Sequence, residues 1–344
     1  MGVKLYELCP GTELEIADLK GKKLAIDAHI FLYQFISTIR SRDGLLLTDS
    51  KGRITSHLVG LLSRTTNLMQ QGLLPCYVFD GKPPELKRAV IEQRAEIKKE
   101  AQRQYEEAAA VQDIESMRKF ASRTSRLTKE MIDEAKELIM ALGLPVVQAP
   151  SEGEAQAAAM AKAGDVWACV SQDADSLLFG APRLVRNMAI TGRKKKVGAL
   201  AYEEVKPQLV ELNKCLSSLG ITHDQLLVLA LLVGTDYDPG GIKGIGPNKA
   251  LKLVKEHGKD YDAIFKQVKW DEHWDIGWKE MIEVFKTMPV TTDYTLKWRA
   301  PDVDRLMKLL VDGHDFSPER VNRAVAGLAK EHKARSQKGL GSFL

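Results

Sequence analysis

The sequence predicts an α/β protein: a central, mostly parallel twisted sheet, covered by helices on both faces and interrupted by a helical lid. Three observations predict it. KKLAID (22–27), PCYVFD (75–80) and VWACVS (166–171) are apolar runs of strand length, separated by segments long enough for helices, the order that builds parallel sheets. Each run closes on acid: Asp27, Asp80, and the pair Asp173 and Asp175. Between Pro84 and Gly143 there is no glycine or proline, so a long helical insertion separates two halves of the sheet.

Residues 1–20 lead into the first strand, and Ala28–Ile39 reads as the helix after it. Leu45–Ile54, with Asp49 and Gly52 as turn signals, forms a hairpin or a loop. His57–Gln71 is a helix stopped by Gly72, and the strand at 75–80 completes a β-α-β start. Pro84 suits the first turn of the next helix, on which Lys87, Ile91, Arg94 and Lys98 share one face at i, i+4, i+7 and i+11. That face is cationic with little apolar support, so it is not core. Residues 105–126 lack amphipathic order and read as a mobile lid. Thr128–Leu142 returns to amphipathic spacing, and LPVVQA (144–149) is a further strand. Ser151 and Glu154 form an S-x-x-E capping box before AQAAAMAKA, a helix that Gly164 ends.

Beyond the third acid-ended strand, residues 184–202 read as a β-hairpin with Gly192-Arg193-Lys194-Lys195-Lys196 at its turn. That basic run suits a solvated hairpin tip better than a nuclear address. Ile221–Val233 is a buried helix feeding Asp236. Gly244-Ile245-Gly246-Pro247 then opens a helix whose exposed face carries Lys249, Lys252 and Lys255. Free N–H groups at such a start, and the helix dipole, favour a phosphate. A P-loop is excluded, because no G-x-x-x-x-G-K-[ST] spacing fits. Residues 260–325 read as helical, and Trp270, Trp274 and Trp278 repeat at i, i+4, i+8 as a packing stripe. Ala329–Lys338 is basic and polar, and the hydrophobic GLGSFL that follows invites a partner.

With 44% hydrophobic and 28% charged residues, the chain has the composition of a soluble globular protein. The longest apolar run, Leu226–Val233, is too short to span a bilayer. The start lacks the basic-then-apolar pattern of a signal peptide, and Tyr6 stands where an acylation signal needs Ser or Thr. Cys9, Cys76, Cys169 and Cys215 have no metal spacing and read as buried thiols of an intracellular protein. The net charge is only +4, but bases gather in 82–129, 193–196, 243–259 and 330–338 while acids gather at the strand ends. Acids that hold metal, flanked by basic surfaces, suit a phosphate backbone.

One strand-terminal Asp is usually a turn residue. Asp27, Asp80, Glu152, Glu154, Asp173, Asp175 and Asp236 in one crevice would repel each other unless protonated or bound to cations. No His or Cys cluster accompanies them, so the expected ions are hard, Mg²⁺ or Mn²⁺. A phosphatase with an aspartyl nucleophile is excluded, because Asp27-Ala28-His29 lacks the second Asp of D-x-D.

The start MGV, then LAIDA, YVFDGKPPELK, APSEGEAQAA, SQDADSLLFG, GTDY, GIKGIGPNKA and the terminal QKGLGSFL appear in an order and spacing that closely resembles the flap endonucleases. These belong to the 5′-nuclease superfamily and are related to XPG. The resemblance covers nearly the whole chain. It implies a structure-specific 5′ flap endonuclease, with 5′–3′ exonuclease activity on nicked or gapped DNA, acting in Okazaki-fragment maturation and repair. It implies an N-terminal nuclease half (1–81), a helical arch (82–129), a second nuclease half (130–236), a helix-hairpin-helix with C-terminal helices (237–325) and a flexible tail (326–344). The seven carboxylates would hold two Mg²⁺ per subunit, with Mn²⁺ as substitute, and hydrolysis would leave a 5′-phosphate and a 3′-hydroxyl. Lys87 and Arg94 would contact the scissile phosphate, Tyr33 would stack on a base near the cut, and Gly2 would lie near the active centre. Arg40, Gly244, Gly246, Lys249 and Lys252 would bind DNA, with a K⁺ at the helix-hairpin-helix. The chain departs from many relatives at Asp238-Pro239-Gly240-Gly241. Gln337, Leu340, Phe343 and Leu344 would bind a sliding clamp, Leu344 replacing the usual second aromatic. The implied protein is a monomer acting on branched DNA, without a membrane, in an archaeal cytoplasm or nucleoid or a eukaryotic nucleus. A bubble- or Holliday-junction-cutting relative would differ in the lid and carry long insertions, whereas the compact 82–130 segment favours the flap cutter, and a DNA-binding scaffold would not need seven intact carboxylates.

Overall fold

In the computed structural model, which describes residues 5–41, 44–110, 126–189, 193–195 and 202–328, the three acid-ended runs are adjacent strands of one sheet. The chain opens with a 3₁₀ turn (Leu5–Glu7), strand β1 (Thr12–Glu13) and a second 3₁₀ turn (Ile16–Leu19). Strand β2 (Lys23–Asp27) passes directly into helix α1 (Ala28–Thr38), because Asp27 caps it: its carboxylate accepts the N–H of Ile30 at 3.0 Å. Residues 40–54 form an irregular hairpin with bridges Arg40–Leu46 and Thr48–Ile54. Helix α2 (Ser56–Gln70) ends at Gly72, whose φ of 85° suits only glycine, and β3 (Leu74–Phe79) follows. Pro84 caps a short 3₁₀ turn, Glu85–Lys87, rather than entering the helix, and α3 (Arg88–Ala110) continues from it. This 23-residue helix is about 35 Å long. It is largely solvated and braced by Arg88–Glu92, Lys99–Glu96 and Arg103 with Glu100 and Glu107. The rest of the expected lid, 111–125, lies outside the described residues.

The second half repeats the plan. Helix α4 (Lys129–Ala141) is capped by Thr128 and followed by β4 (Val146–Gln148). Helix α5 (Gly153–Ala163) ends at Gly164 in the left-handed conformation, and β5 (Ala168–Val170) and the single-turn α6 (Asp175–Leu178) come next. After these come β6 (Arg183–Arg186), β7 (Arg193–Lys195), β8 (Tyr202–Glu204), β9 (Gln208–Glu211) and α7 (Leu212–Leu219). Helix α8 (His223–Val233) starts with a full Thr222/Gln225 capping box, and α9 (Pro247–His257) starts at Gly246 with Pro247 in its first turn. The remainder is α10 (Tyr261–Gln267), α11 (Trp278–Thr287), α12 (Val303–Met307) running into a π turn (Lys308–Asp312), and α13 (Pro318–Val325).

The seven-stranded sheet runs β1-β9-β6-β5-β2-β3-β4, so each half of the chain supplies neighbours to the other. The four pairings from β6 to β4 are parallel, and the two at the β1 edge are antiparallel. Side chains alternate between two cores. Ala25, Cys76, Val78 and Cys169 face α5 and α8, while Leu24, Ile26, Tyr77, Phe79, Ala168 and Val170 face α1, α2 and α4. Burial on both faces is why these strands read as unbroken apolar runs. The alanines of α5 let it lie close on the sheet.

Between α11 and α12 an extended strap crosses the edge opposite the strands' carboxyl ends. Gln156 and Thr291 exchange two bonds, the Trp298 indole donates to the Pro75 carbonyl at 2.8 Å, and Arg299 N–H donates to the Gly143 carbonyl at 2.8 Å. Beyond it, His314 lies between Asp49 (3.1 Å) and Glu134 (3.2 Å), fastening the C-terminal helices to the α2 and α4 side.

Four further expectations are corrected. Ser151 does not cap α5: its hydroxyl donates to the Lys82 carbonyl, and the Asp80 carboxylate takes the Gly153 N–H at 2.7 Å instead. Residues 184–202 are not one hairpin. Residues 183–186 join the main sheet, and the basic run is strand β7, paired with β8, because its partners lie further along the chain than a tight hairpin allows. The tryptophans do not share one helix, since Lys269 (φ 54°) and the loop before α11 break it; Trp270 and Trp278 still pack against Phe265 at 5.1 and 4.5 Å between ring centroids. Cys9 and Cys215 are joined as a disulfide, while Cys76 and Cys169 are the buried free thiols expected of all four. Among the described residues, no single helix is long and apolar enough to cross a membrane.

Candidate active site

Parallel pairing of β3, β2 and β5 brings their carboxyl ends together, as in other open α/β sheets where ligands bind. A cleft of about 450 Å³ opens there, lined by Asp27, Asp80, Glu152, Glu154, Asp173 and Asp236, with His29, Tyr33, Lys87 and Ile91 around them. Asp175 lies just beneath, 4% exposed. Each acid is placed by local structure. Asp27 ends β2, Asp80 follows β3, Glu152 and Glu154 start α5, Asp173 and Asp175 follow β5, and Asp236 follows α8. Glycine at 153 permits the Asp80 contact, since a Cβ there would lie 2.9 Å from the carboxylate oxygen.

The electrostatics are those of crowded anions out of water. Burial raises Asp27 well above the ordinary carboxylate range, and Asp80 and Asp173 add repulsion. Burial does the same to Glu154, with Asp175, Asp27 and Asp173 reinforcing it against a 2.8 Å bond from the Ser171 hydroxyl. Asp175 is pushed to about 7 by burial and by Asp236 and Asp173, and its Oδ1 is buried without a hydrogen-bond partner. The main counter-charge is Lys87. Its ammonium bridges Glu152 and Asp236 (3.5 Å to the latter) and lies 4.9 Å from the centre of the Tyr237 ring. Burial works to lower its pKa, but Glu152 and Asp236 outweigh this and hold it above the ordinary lysine value.

A donor set dominated by carboxylates, a buried orphan carboxylate oxygen and mutual repulsion fit a hard divalent cation such as Mg²⁺ or Mn²⁺. With Lys87 seated among them, no three acidic, His or Cys side chains of the described residues converge closely enough to hold an ion as they stand.

The expected DNA-contacting residues are spread more widely. Tyr33 borders the cleft, 39% exposed, with the Lys98 ammonium 4.9 Å from its ring centre. Arg94 is seven residues beyond Lys87 on α3. Arg40 is not in the cleft: its guanidinium donates to the carbonyls of Ser37 and Gly44. Gly244 (φ 82°) and Gly246 form the turn before α9, where Lys249 and Lys252 are exposed. Gly2, Gln337, Leu340, Phe343 and Leu344 lie outside the described residues.

Sequence reasoning missed His29, whose Nδ1 is 3.3 Å from both the backbone N and the carboxylate of Asp80, and Tyr237 beneath Lys87. Their signal was adjacency: each lies within two residues of a candidate ligand. Asp238 is fully buried and takes the N–H and hydroxyl of Thr235, closing the turn after α8.

Comparison with known proteins agrees along the full length. Residues 3–101 match the XPG N-terminal domain and residues 143–236 the XPG I-region. The chain is 52% identical over 350 residues to flap endonuclease 1 of Hyperthermus butylicus, covering 100% of this chain and 99% of that one. It is also 52% identical to flap endonuclease 1 of Pyrococcus abyssi over 343 residues, 100% and 98% of the two chains. Among solved structures, flap endonuclease-1 from Methanococcus jannaschii superposes with a TM-score of 0.76 at 41% identity, over 97% of this chain and 100% of that one. The catalytic core of Rad2 in complex with DNA shares the fold, at a TM-score of 0.70 and 23% identity over 95% of this chain.

Proposed function

The chain belongs to the flap endonuclease 1 family and is a nuclease, and on that footing we propose how its cleft cuts a 5′ flap. The observation that carries the reading is the convergence of six carboxylates, with a seventh buried below, on a cleft at the sheet's carboxyl edge that also holds one lysine. Asp27, Asp80, Glu152, Glu154, Asp173, Asp175 and Asp236 would hold two Mg²⁺. When bound, such ions supply positive charge to the phosphate and lower the pKa of a bound water. The chain's own residues do the rest. Lys87 moves from the carboxylates to the non-bridging oxygens of the scissile phosphate, with Arg94 above it on α3, and both stabilise the charge that grows during in-line attack. Tyr33 offers a ring face to the base beside the cut. The turn at Gly244 and Gly246 offers backbone N–H groups, and Lys249 and Lys252 offer charge, to the downstream duplex; the same turn would hold a K⁺. These are contacts to phosphate and junction shape, so sequence preference is slight.

The same residues serve 5′–3′ trimming at nicks and gaps, leaving a 5′-phosphate and a 3′-hydroxyl during replication and repair. The protein works as a monomer on branched DNA, and its terminal residues Gln337, Leu340, Phe343 and Leu344 engage a sliding clamp. To test the reading, matched 5′-flap, nicked, bubble and four-way DNAs are incubated with the protein, with and without Mg²⁺. The flap is expected to be cut fastest, only with the ion, and not by Asp175→Ala, which should bind it within a few-fold of wild type. Faster cutting of the bubble or four-way junction overturns the assignment.

A further inference from the structure

The N-terminal segment reaches the cleft from behind. Within the Leu5–Glu7 turn, the Tyr6 hydroxyl donates to the Gln172 carbonyl at 3.0 Å, one residue before Asp173, and the Arg186 guanidinium lies 3.2 Å from the centre of its ring. Two residues after that turn Cys9 is joined to Cys215 in α7, the helix that follows β9 in the second half of the chain. Both cysteines are buried, at 3% and 6% exposure. Their Cα atoms are 5.4 Å apart, well inside the range an ordinary bridge spans. The other two thiols lie on opposite sides of β2, on β3 and β5, each in register with Ala25, and are not bridged. Burial holds Cys76 up at about 12, so it stays a thiol. The four cysteines thus divide into one cross-link and two inert core side chains.

We propose that the Cys9–Cys215 disulfide is a covalent clasp that seats residues 5–9 beneath the carboxylate cluster, and that its redox state sets how well the cleft is held. Without the bridge, the segment before β1 is held by the short turn, the Tyr6–Gln172 bond and burial of Leu5. With it, residue 9 is fixed to an element 206 residues away, so Tyr6, Gln172 and Asp173 keep one arrangement. The bridge forms by exchange with a small-molecule or protein disulfide. One thiolate attacks that disulfide and expels a thiolate; the second cysteine then attacks the mixed disulfide and expels the other. Two electrons pass from the Cys9–Cys215 pair to the partner disulfide, and two protons leave the thiols.

The test uses the full chain, isolated with a thiol-blocking reagent present from lysis and, in parallel, after treatment with oxidised glutathione. Under denaturing conditions without reductant, two cysteines should react with iodoacetamide, and a peptide map should join the segments holding Cys9 and Cys215. After reduction all four should react. Four reactive cysteines in both preparations overturn the clasp. For a bridge closing so long a loop, reduction should lower the melting temperature by roughly 3–7 °C. The Cys9→Ala/Cys215→Ala variant should melt like the reduced protein and ignore reductant. Single-turnover cleavage of a 5′ flap should fall on reduction by ~10-fold, short of the ~10² that a 1 Å misplacement costs. Equal cleavage by the bridged and reduced forms overturns the coupling to the cleft. The cleavage readout rests on the nuclease reading, but the peptide map and the melting shift do not; a chain that bridges as expected and cuts nothing counts against the nuclease alone.

Discussion

At the scale of single residues, the centre is a balance between anions that repel and one lysine that neutralises them. Lys87 is charged because Glu152 and Asp236 outweigh the cost of its burial, so it is a ready cation inside the cleft. Removing one such preorganised charge typically costs ~10²–10³ in rate. Lys87→Ala should therefore slow single-turnover cleavage by about that factor while changing flap binding several-fold at most; equal losses in both would show a docking role. A second residue-scale effect lies outside the cleft, where desolvation of Asp49 is outweighed by hydrogen bonds from Arg53, His314 and Lys51, and its carboxyl is held down at about 2. A depressed carboxyl stabilises the fold above its unfolded value, and that contribution disappears as pH falls through the folded one. Asp49→Asn should be less stable than wild type at pH 5–7, and the gap should close as pH falls from about 4 towards 2. Chemical denaturation at stepped pH measures it, and a constant gap would sever Asp49 from the acid response.

At the scale of elements, α9 is the DNA handle of the proposed reading. Lys249 and Lys252 are exposed; the nearest acid to Lys252 is Glu256 at 3.6 Å, a surface pair worth little. Neutralising both should lower the salt slope of duplex binding by about 2, at ~0.9 for each phosphate no longer neutralised, and an unchanged slope would make them a solvated face. The elements that position the site were legible in the sequence because apolar runs closing on Asp are unusual and parallel pairing follows from the intervening helices. His29 and Tyr237 were not, because a lone aromatic carries no periodicity. The β6–β9 pairing was hidden because its strands are separated by the β7–β8 ribbon, whose lysines resemble a turn. The Cys9–Cys215 bridge was hidden because spacing alone says nothing of partners 206 residues apart.

At the scale of the whole molecule, the proposed reading puts cutting and recruitment in separate parts of the chain. The carboxylates gather at the carboxyl edge of one sheet and the helices beside it, whereas residues 337–344 lie beyond α13 in the sequence, so deleting 337–344 should leave cleavage of a free flap unchanged and abolish stimulation by a matching sliding clamp. Stimulation that survives the deletion would place the clamp's docking point elsewhere. The extended strap between α11 and α12 has a different consequence, which concerns how the molecule is made. It joins Trp298 to Pro75, Arg299 to Gly143 and Thr291 to Gln156, so the rear of the sheet is sealed by a segment that leaves the ribosome late. At ~5–20 residues per second, the 223 positions separating Pro75 from Trp298 take on the order of 10 s or more to translate. Once Asp236 has been added, every acid of the cleft is present while the rear of the sheet is still unsealed, and a message broken between codons 237 and 289 yields a chain that carries every carboxylate of the cleft but never receives its seal.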